Sequence, residues 1–193
     1  KKGLVVGGGI AGMTTALSMA AQGFEIYLIE KDKDLGGMAR RIHHTLEGMD
    51  VQTVLKGTIS KVYKHPKIHV IHEATITEVT GYVGNFVTTV QAEGRVRKIE
   101  HGAAVIATGA AEYKPTEYLY GEDEWVVTQL ELENEIFQED DTLAGIENVV
   151  MVQCVGCRNE DRNYCSRICC SHAVKNALSL KEKQPETDVY VLF

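Results

Sequence analysis

Two kinds of hydrophobic pattern alternate over the first thirty residues. One continuous apolar run spans residues 4–6, and a second strand-like segment at residues 25–29 is apolar from Ile26 onward. Between them, after a glycine-rich stretch, apolar residues recur with helical spacing at Ile10, Met13, Leu17 and Ala20. Short apolar runs are typical of buried strands, and the 3.6-residue period is typical of a helix. The pattern therefore predicts strand, turn, helix and strand, the beginning of an α/β fold with a parallel sheet.

Over the next eighty residues, the spacing of the apolar positions changes from helical to alternating and then to a continuous run. Apolar residues at Val51, Val54, Leu55, Ile59 and Val62 predict a helix that Asp50 caps and that ends before Pro66. Four short alternating segments then predict a β-meander, at residues 67–72, 75–80, 85–92 and 96–100. We expect this meander to cover one edge of the sheet. A further apolar strand begins at Ala103 and runs into Ala107, Thr108 and Gly109.

The remaining segments predict a second strand–helix–strand unit. Thr128 and Glu131 form a capping box that opens a helix through Phe137. Residues 147–153 predict a buried strand of the parallel type, Ser171 caps the next helix, and residues 188–193 supply the next strand. We therefore predict a first domain at residues 1–145 and a truncated second Rossmann-like unit at residues 146–193. The acidic residues of this half predict a solvated face: Glu131, Glu133, Glu135, Glu139, Asp140 and Asp141.

The glycine-rich stretch has the spacing of a dinucleotide-binding turn. Gly7 permits the tight turn, Gly9 lets a pyrophosphate approach the backbone, and Gly12 allows helix and strand to pack closely. Ile10 and Ala11 then lie at the positive end of the helix, where the phosphates would bind. Glu30 ends the second strand, where a carboxylate accepts hydrogen bonds from an adenosine ribose.

Two later motifs favour FAD over NAD. The segment from Lys31 to Arg40 contains Leu-Gly-Gly and resembles the second glycine turn of two-dinucleotide-binding flavoproteins. Residues 107–109 resemble the short Ala-Thr-Gly motif of the same flavoproteins. Three motifs in this order predict an FAD-binding Rossmann-like domain. The residues predicted to bind FAD are Gly7, Gly9, Ile10, Ala11, Gly12, Glu30, Lys31, Gly37, Met38, Arg40, Ala107, Thr108 and Gly109.

All five cysteines lie between positions 154 and 170, in the order C-x2-C-x7-C-x3-C-C. This density favours a metal site, and four thiolates satisfy either an iron–sulfur cluster or a structural zinc. Zinc sites usually have two separated C-x2-C pairs, whereas this chain has one. Reactive thiols and a disulfide knot are the other interpretations. Because the cysteines stand where a nicotinamide-binding domain has its glycines, we expect the second unit not to bind NAD(P)H.

The composition and net charge limit the classes of partner and the environment that we expect for this chain. The chain has 193 residues, 44% of them hydrophobic and 24% charged, and a net charge of −7. A negative charge favours neither nucleic acid nor an acidic membrane surface as a partner. We expect no membrane span, because no apolar run reaches the roughly 20 residues that a span needs. All five cysteines belong to one presumed metal site, which requires reduced thiols, and we therefore expect the protein in the reducing cytoplasm.

Taken together, the three flavin motifs and the cysteine segment resemble the A subunit of heterodisulfide reductase and its bacterial relatives. The resemblance covers essentially the whole chain. It implies a thioredoxin-reductase-like core that binds FAD and a 4Fe–4S cluster. Family members often have Ser at the position of Cys157. The implied ligands are therefore Cys154, Cys165, Cys169 and Cys170, with Cys157 as a possible substitute.

The resemblance also implies a function and partners. It implies an electron-transfer oxidoreductase module, in many members one that bifurcates electrons. The implied partners are other heterodisulfide-reductase-type subunits and an electron donor, either ferredoxin or a hydrogenase or formate dehydrogenase. We expect the chain to be a fragment, inactive alone, because it ends within the second unit and lacks ferredoxin-type cysteine repeats. Two alternatives remain: a pyridine-nucleotide-disulfide oxidoreductase with a redox-active cysteine pair, and a zinc-stabilised docking domain.

Overall fold

A computed structural model describes residues 1–138 and 143–193 of the chain. The chain divides into two compact units. The first unit contains residues 1–40 and 51–110, and the second contains residues 41–50 and 111–193. By packing, residues 111–138 thus group with the second unit, whereas the domain boundary at residue 145 stays a prediction. The predicted acids Glu139, Asp140 and Asp141 lie outside the described residues.

The first unit contains a four-stranded parallel sheet. Its strands are β1 (Lys2–Val6), β2 (Glu25–Ile29), β3 (Ile68–Ile71) and β7 (Ala103–Ile106), in the order β3-β2-β1-β7. Helix α1 (Ile10–Ala21) connects β1 to β2, and helix α2 (Val51–Lys64) precedes β3. This is the Rossmann-like arrangement that the alternating pattern predicts.

Three of the four predicted meander segments form a separate antiparallel sheet, whereas the first, at residues 67–72, instead forms β3 at the end of the parallel sheet. The antiparallel sheet consists of β4 (Ala74–Tyr82), β5 (Asn85–Ala92) and β6 (Arg95–His101). Leu4 and Ile29 of the parallel sheet pack with Val90 and Ile99 of the meander, whereas Val5 packs with the side of the sheet that α1 and α2 cover. Successive side chains of a strand point to opposite faces. The meander therefore covers a face of the parallel sheet, and the prediction that it covers an edge was wrong.

The second unit contains a strand–helix–strand element and one further helix. Strand β8 (Asn148–Val152) pairs in parallel with β9 (Asp188–Leu192), and α4 (Cys169–Lys183) connects them. Helix α3 (Gln129–Phe137) packs its Leu132 and Ile136 against Met151 and α4.

Two details of the second unit differ from the prediction. The first turn of α4 begins at Cys169 with Ile168 as its N-cap residue, so Ser171 does not cap it. The apolar run of β8 predicted a buried strand, but Val150 is 56% exposed and Tyr190 of β9 is 50% exposed. One face of this two-stranded sheet is therefore exposed to solvent. Among the described residues, only the opposite face packs against helices.

Candidate functional site

The turn between β1 and α1 and the first turn of α1 each contain a predicted glycine with no room for a side chain. Gly7 has φ +107°, and a Cβ there would lie 2.2 Å from the carbonyl oxygen of Ala107. A Cβ on Gly12 would lie 1.8 Å from the carbonyl oxygen of Gly7. Both distances are far below contact, so only glycine fits at either position. These are the roles that the sequence motif predicts for the turn and for helix–strand packing.

Gly9 has the opposite environment. A Cβ placed on Gly9 would meet no heavy atom within 4 Å, so the space in front of this residue is open. Gly9 is also the N-cap residue of α1, and no side chain caps the helix. The first N–H groups of a helix lack intrahelical partners, and the helix dipole adds positive potential there. The turn therefore presents an open, electropositive cradle suited to a phosphate group.

Glu30 is bound to the backbone of the glycine turn. Its side chain is 5% exposed. One carboxylate oxygen accepts the Gly8 N–H at 2.6 Å, and the other accepts the Asp32 N–H at 2.9 Å. Each oxygen keeps a lone pair for a further donor such as a ribose hydroxyl. Glu30 thus also fixes the shape of the turn, a role that its position in the sequence did not reveal.

Gly8 is a site residue that sequence reasoning missed. A Cβ on Gly8 would lie 2.4 Å from Leu35 Cδ2 and 2.7 Å from a Glu30 oxygen. The carbonyl oxygen of Gly8 accepts the Gly36 N–H at 2.8 Å. The sequence motif did not reveal that Gly8 must be a glycine, because the usual glycine spacing assigns no role to its second residue.

The other two predicted flavin motifs lie against the first turn. Gly9 forms a β-bridge with Gly36, and a Cβ on Gly37 would lie 3.2 Å from Gly9 Cα. The Ala107 N–H donates to the Val6 carbonyl, which places residues 107–109 beside Gly7. Arg40 forms ion pairs with Asp32 and Asp34 at 3.7 and 3.5 Å. The structure therefore brings all three motifs together in the first unit.

Apolar side chains are exposed around this turn. Ile10 is 39% exposed and directly follows Gly9, and Met38 is 38% exposed and directly follows Gly37 of the second motif. Ile106, which directly precedes Ala107, is 69% exposed. Ile106 was not among the predicted residues, and the signal for it was the apolar end of β7 beside the third motif. Lys31 and Ala11 are exposed as well.

The cysteines occupy the loop at residues 153–168 and the first turn of α4. Cys154, Cys157 and Cys169 are half-buried, whereas Cys165 and Cys170 are exposed. Three residues of this segment, Cys154, Arg158 and Arg167, have positive φ of 62°, 58° and 60°. Side-chain-bearing residues adopt this conformation only at an energetic cost, which a loop retains where its geometry is constrained.

Polar groups surround the thiols. An Arg158 Nη atom donates to Cys154 Sγ at 3.7 Å, and the Arg167 N–H donates to Cys165 Sγ at 3.3 Å. The Ser166 hydroxyl lies 3.2 Å from Cys169 Sγ. Burial, followed by the negative charges of Cys169, Cys154 and Cys165, raises the pKa of the Cys157 thiol. The thiols are thus close enough to repel one another when ionised.

The thiols do not form a complete ligand set. Within residues 1–138 and 143–193, no three His, Cys, Asp or Glu side chains are arranged as a ready-made metal site. The donor set nevertheless suits a cluster, because five thiols lie within one short segment and arginines flank them.

Glu133 contradicts its predicted place on a solvated face. Its side chain is fully buried, at 0% exposure. It accepts hydrogen bonds from His172 Nε2 at 2.7 Å, Lys175 Nζ at 2.6 Å and the His43 N–H at 2.7 Å. Burial alone would raise the pKa of Glu133, but these hydrogen bonds outweigh it and lower the pKa to about 2.

Known proteins match both the sequence and the fold. Residues 1–152 match the family described as pyridine nucleotide-disulphide oxidoreductase. The chain is 27% identical to the A subunit of the H(2):CoB-CoM heterodisulfide,ferredoxin reductase of Methanothermobacter thermautotrophicus. It is 28% identical to an iron-sulfur A subunit of the CoB--CoM heterodisulfide reductase of Methanopyrus kandleri. These matches cover 100% and 98% of this chain but 43% of each relative's length.

One solved structure supports the fold at full length. The chain superposes on L-proline dehydrogenase from P. horikoshii with a TM-score of 0.55 and 19% identity. The superposition covers 99% of this chain and 35% of that one. At this identity the likeness concerns the fold alone. Separately, none of the described helices is long and apolar enough to cross a membrane.

Proposed function

Because the chain belongs to the pyridine nucleotide-disulphide oxidoreductase family, we propose that it is the FAD- and iron–sulfur-binding electron-transfer module of a heterodisulfide-reductase-like complex. The similarity to heterodisulfide reductase A subunits over essentially the whole chain supports this proposal. The chain spans less than half the length of those relatives, so electron bifurcation and the partners belong to the proposal too. The partners would be other heterodisulfide-reductase-type subunits and a ferredoxin, hydrogenase or formate dehydrogenase donor.

The observation that carries the flavin part is the open space at Gly9. Its neighbours Gly7, Gly8 and Gly12 are tightly enclosed, and Gly9 alone faces open space at the uncapped start of α1. A pyrophosphate would bind there, with a Glu30 oxygen available to the ribose. Once bound, the flavin would supply the hydride and one-electron chemistry. The remaining proposed contacts are Ile10, Ala11, Lys31, Gly37, Met38, Arg40, Ala107, Thr108 and Gly109.

The Gly9 environment makes the flavin proposal testable without disturbing the fold. We expect Gly9→Ala to keep the thermal unfolding midpoint of the apoprotein, since the added Cβ meets nothing within 4 Å. The same methyl group would occupy the space of the pyrophosphate, so most of the flavin should be lost. Flavin absorbance and extracted FAD measure this. Unchanged FAD content in a folded Gly9→Ala protein would contradict the proposal.

The cluster part rests on the donor set. Four thiolates complete a 4Fe–4S cluster, and we propose Cys154, Cys165, Cys169 and Cys170 as ligands with Cys157 as the spare thiol. Arg158 and Arg167 donate to two of these sulfur atoms and would offset the negative charge of the cluster. When bound, the cluster would supply one-electron transfer.

Serine substitutions separate the two possible ligand sets. We expect Cys157→Ser to keep iron and acid-labile sulfide, and Cys170→Ser to lose the cluster or degrade it. Iron and sulfide analysis of anaerobically prepared protein, with electron paramagnetic resonance, measures both. The opposite result would assign the fourth ligand to Cys157, which its proximity to Cys169, Cys154 and Cys165 would then explain.

A redox-active dithiol is the second candidate function. The mutual proximity of Cys157 and its cysteine neighbours favours it, because two close thiols form a disulfide readily. This function would require reversible oxidation of one cysteine pair, without iron. Thiol titration before and after dithionite reduction, together with iron analysis, distinguishes it from the cluster.

We also propose that the second unit does not bind NAD(P)H. Calorimetry with NADH and NADPH tests this, and stoichiometric binding at the Cys154 loop would disprove it.

A further inference from the structure

The first turn of α4 has little packing of its own. Its N-cap residue Ile168 provides no side-chain hydrogen bond, and Cys170 and Ser171 are exposed. Ser166 is the only side chain that contacts both Ile168 N–H and Cys169 Sγ among the described hydrogen bonds, and it is itself exposed. An uncapped, solvated first turn frays readily. Another group must hold it if its thiols are to keep a fixed geometry.

His172 is the first anchored side chain of α4. Its Nε2 donates to the Glu133 carboxylate at 2.7 Å, and its side chain is 10% exposed. Its own N–H donates to the Ile168 carbonyl at 3.0 Å, closing the first helical turn. One turn later Lys175 contacts the other Glu133 oxygen at 2.6 Å. The carboxylate thus holds α4 at two successive turns.

Glu133 is itself held in place from a third direction. The oxygen that binds Lys175 also accepts the His43 N–H at 2.7 Å. Helix α3 is fixed at its start by the Thr128–Glu131 capping box, and Leu132 and Ile136 pack in the core of the second unit. A buried carboxylate with donors on both oxygens has one available geometry, because losing any donor leaves charge unpaired.

We infer that Glu133 is a positioning residue for the proposed cluster. Through His172 it fixes the first turn of α4, and therefore the Sγ atoms of Cys169 and Cys170. This inference rests on the proposed function, because it needs a cluster at these thiols. Glu133 itself would contact no cluster atom.

Two variants remove the hydrogen bond between His172 and Glu133, one from each partner. His172→Phe keeps the Glu133–Lys175 ion pair and places a flat ring at residue 172. The double change Glu133→Leu with Lys175→Met removes both buried charges together, since removing one alone leaves the other unpaired. Glu135→Gln on the same helix is the control. For both test variants we expect the wild-type far-ultraviolet circular dichroism, about 10-fold weaker iron retention against a chelator, and altered g-values in electron paramagnetic resonance.

The outcomes separate the inference from the proposed function. Altered g-values in a variant with wild-type dichroism support positioning, since a purely structural role would leave the spectrum of the bound cluster unchanged. A folded variant with wild-type iron, sulfide and g-values overturns it. A wild-type protein that binds no iron after anaerobic reconstitution instead removes the proposed cluster function. The Glu135→Gln control should match the wild-type protein throughout.

Discussion

The two strand–turn–helix elements of the chain make the same connection in different ways. In the first unit, residues 7–9 connect β1 to α1, and Gly7, Gly8 and Gly12 have no room for a side chain. In the second unit, residues 153–168 connect β8 to α4, and the loop carries thiols and three side-chain-bearing residues with positive φ. The first connection offers backbone N–H groups to a ligand. The second offers side chains.

The specificity of each site therefore has a different origin. A backbone cradle depends on the absence of Cβ atoms, so its chemistry is set by packing. A thiol loop depends on the positions of its side chains, so groups outside the loop must fix them. Accordingly, Glu30 holds the first turn through backbone N–H groups, whereas Glu133 holds α4 through side chains.

The largest effect is expected where the first connection is tightest. Gly12→Val would place its Cβ 1.8 Å from the Gly7 carbonyl oxygen, and we expect it to destabilise the protein by about 3 kcal/mol or more. Gly57→Ala on the exposed side of α2 is the matched control, because a Cβ there meets nothing within 4 Å. The control should stabilise the protein by roughly 0.5–1 kcal/mol. Urea unfolding measures both, and equal effects would refute the packing account.

Acid should affect the second unit through Glu133. Its pKa is lowered from 4.5 to about 2 in the folded protein, so the folded state binds this proton less readily than the unfolded chain. The stabilisation is therefore full above about pH 5 and is lost as the pH falls toward 2, by roughly 3 kcal/mol. Urea unfolding between pH 6 and pH 3 measures the slope. The variant Glu133→Leu with Lys175→Met should flatten it, and an unchanged slope would exclude Glu133 as its source.

Removing the carboxylate of Glu30 should affect the first turn less than Gly12→Val. We expect Glu30→Ala to cost about 1.5–3 kcal/mol, because the Gly8 N–H then lies buried without its charged acceptor. Flavin binding should weaken together with stability, in contrast to Gly9→Ala. Parallel unfolding and FAD titrations make this comparison. Weakened flavin binding with unchanged stability would show that Glu30 serves only the ribose.

The smallest effect concerns the two helix starts of the second unit. Thr128 accepts the Glu131 N–H at the start of α3, so Thr128→Ala should cost about 1 kcal/mol. Ser171 caps nothing in α4, so Ser171→Ala should change stability by less than about 0.5 kcal/mol. If both variants lowered the stability equally in thermal unfolding, the result would support the predicted capping role of Ser171.

Most of the fold could be predicted because its signals are local. The observed β2 and β5, and helix α3, coincide with the predicted segments, since each is bounded by nearby turns or caps. Prediction failed where the decisive partner is distant. Glu133 has the same spacing as Glu131 and Glu135 of its helix, which are only half-buried, and its partner His172 lies 39 positions further along the chain. The Gly8 requirement was missed likewise, because Leu35 and Glu30 create it.

The segment at residues 41–50 determines how the protein can be divided experimentally. The chain leaves the first unit after Arg40, returns at Val51 and leaves again after Ala110. Within the second unit, the His43 N–H binds Glu133, and the rings of His43 and His44 lie 4.8 and 4.7 Å from the Phe137 ring. A truncated protein ending at Ala110 would therefore take this segment away from its partners. Separating the units cleanly requires a short designed linker in place of residues 41–50, with the excised peptide grafted onto the other unit.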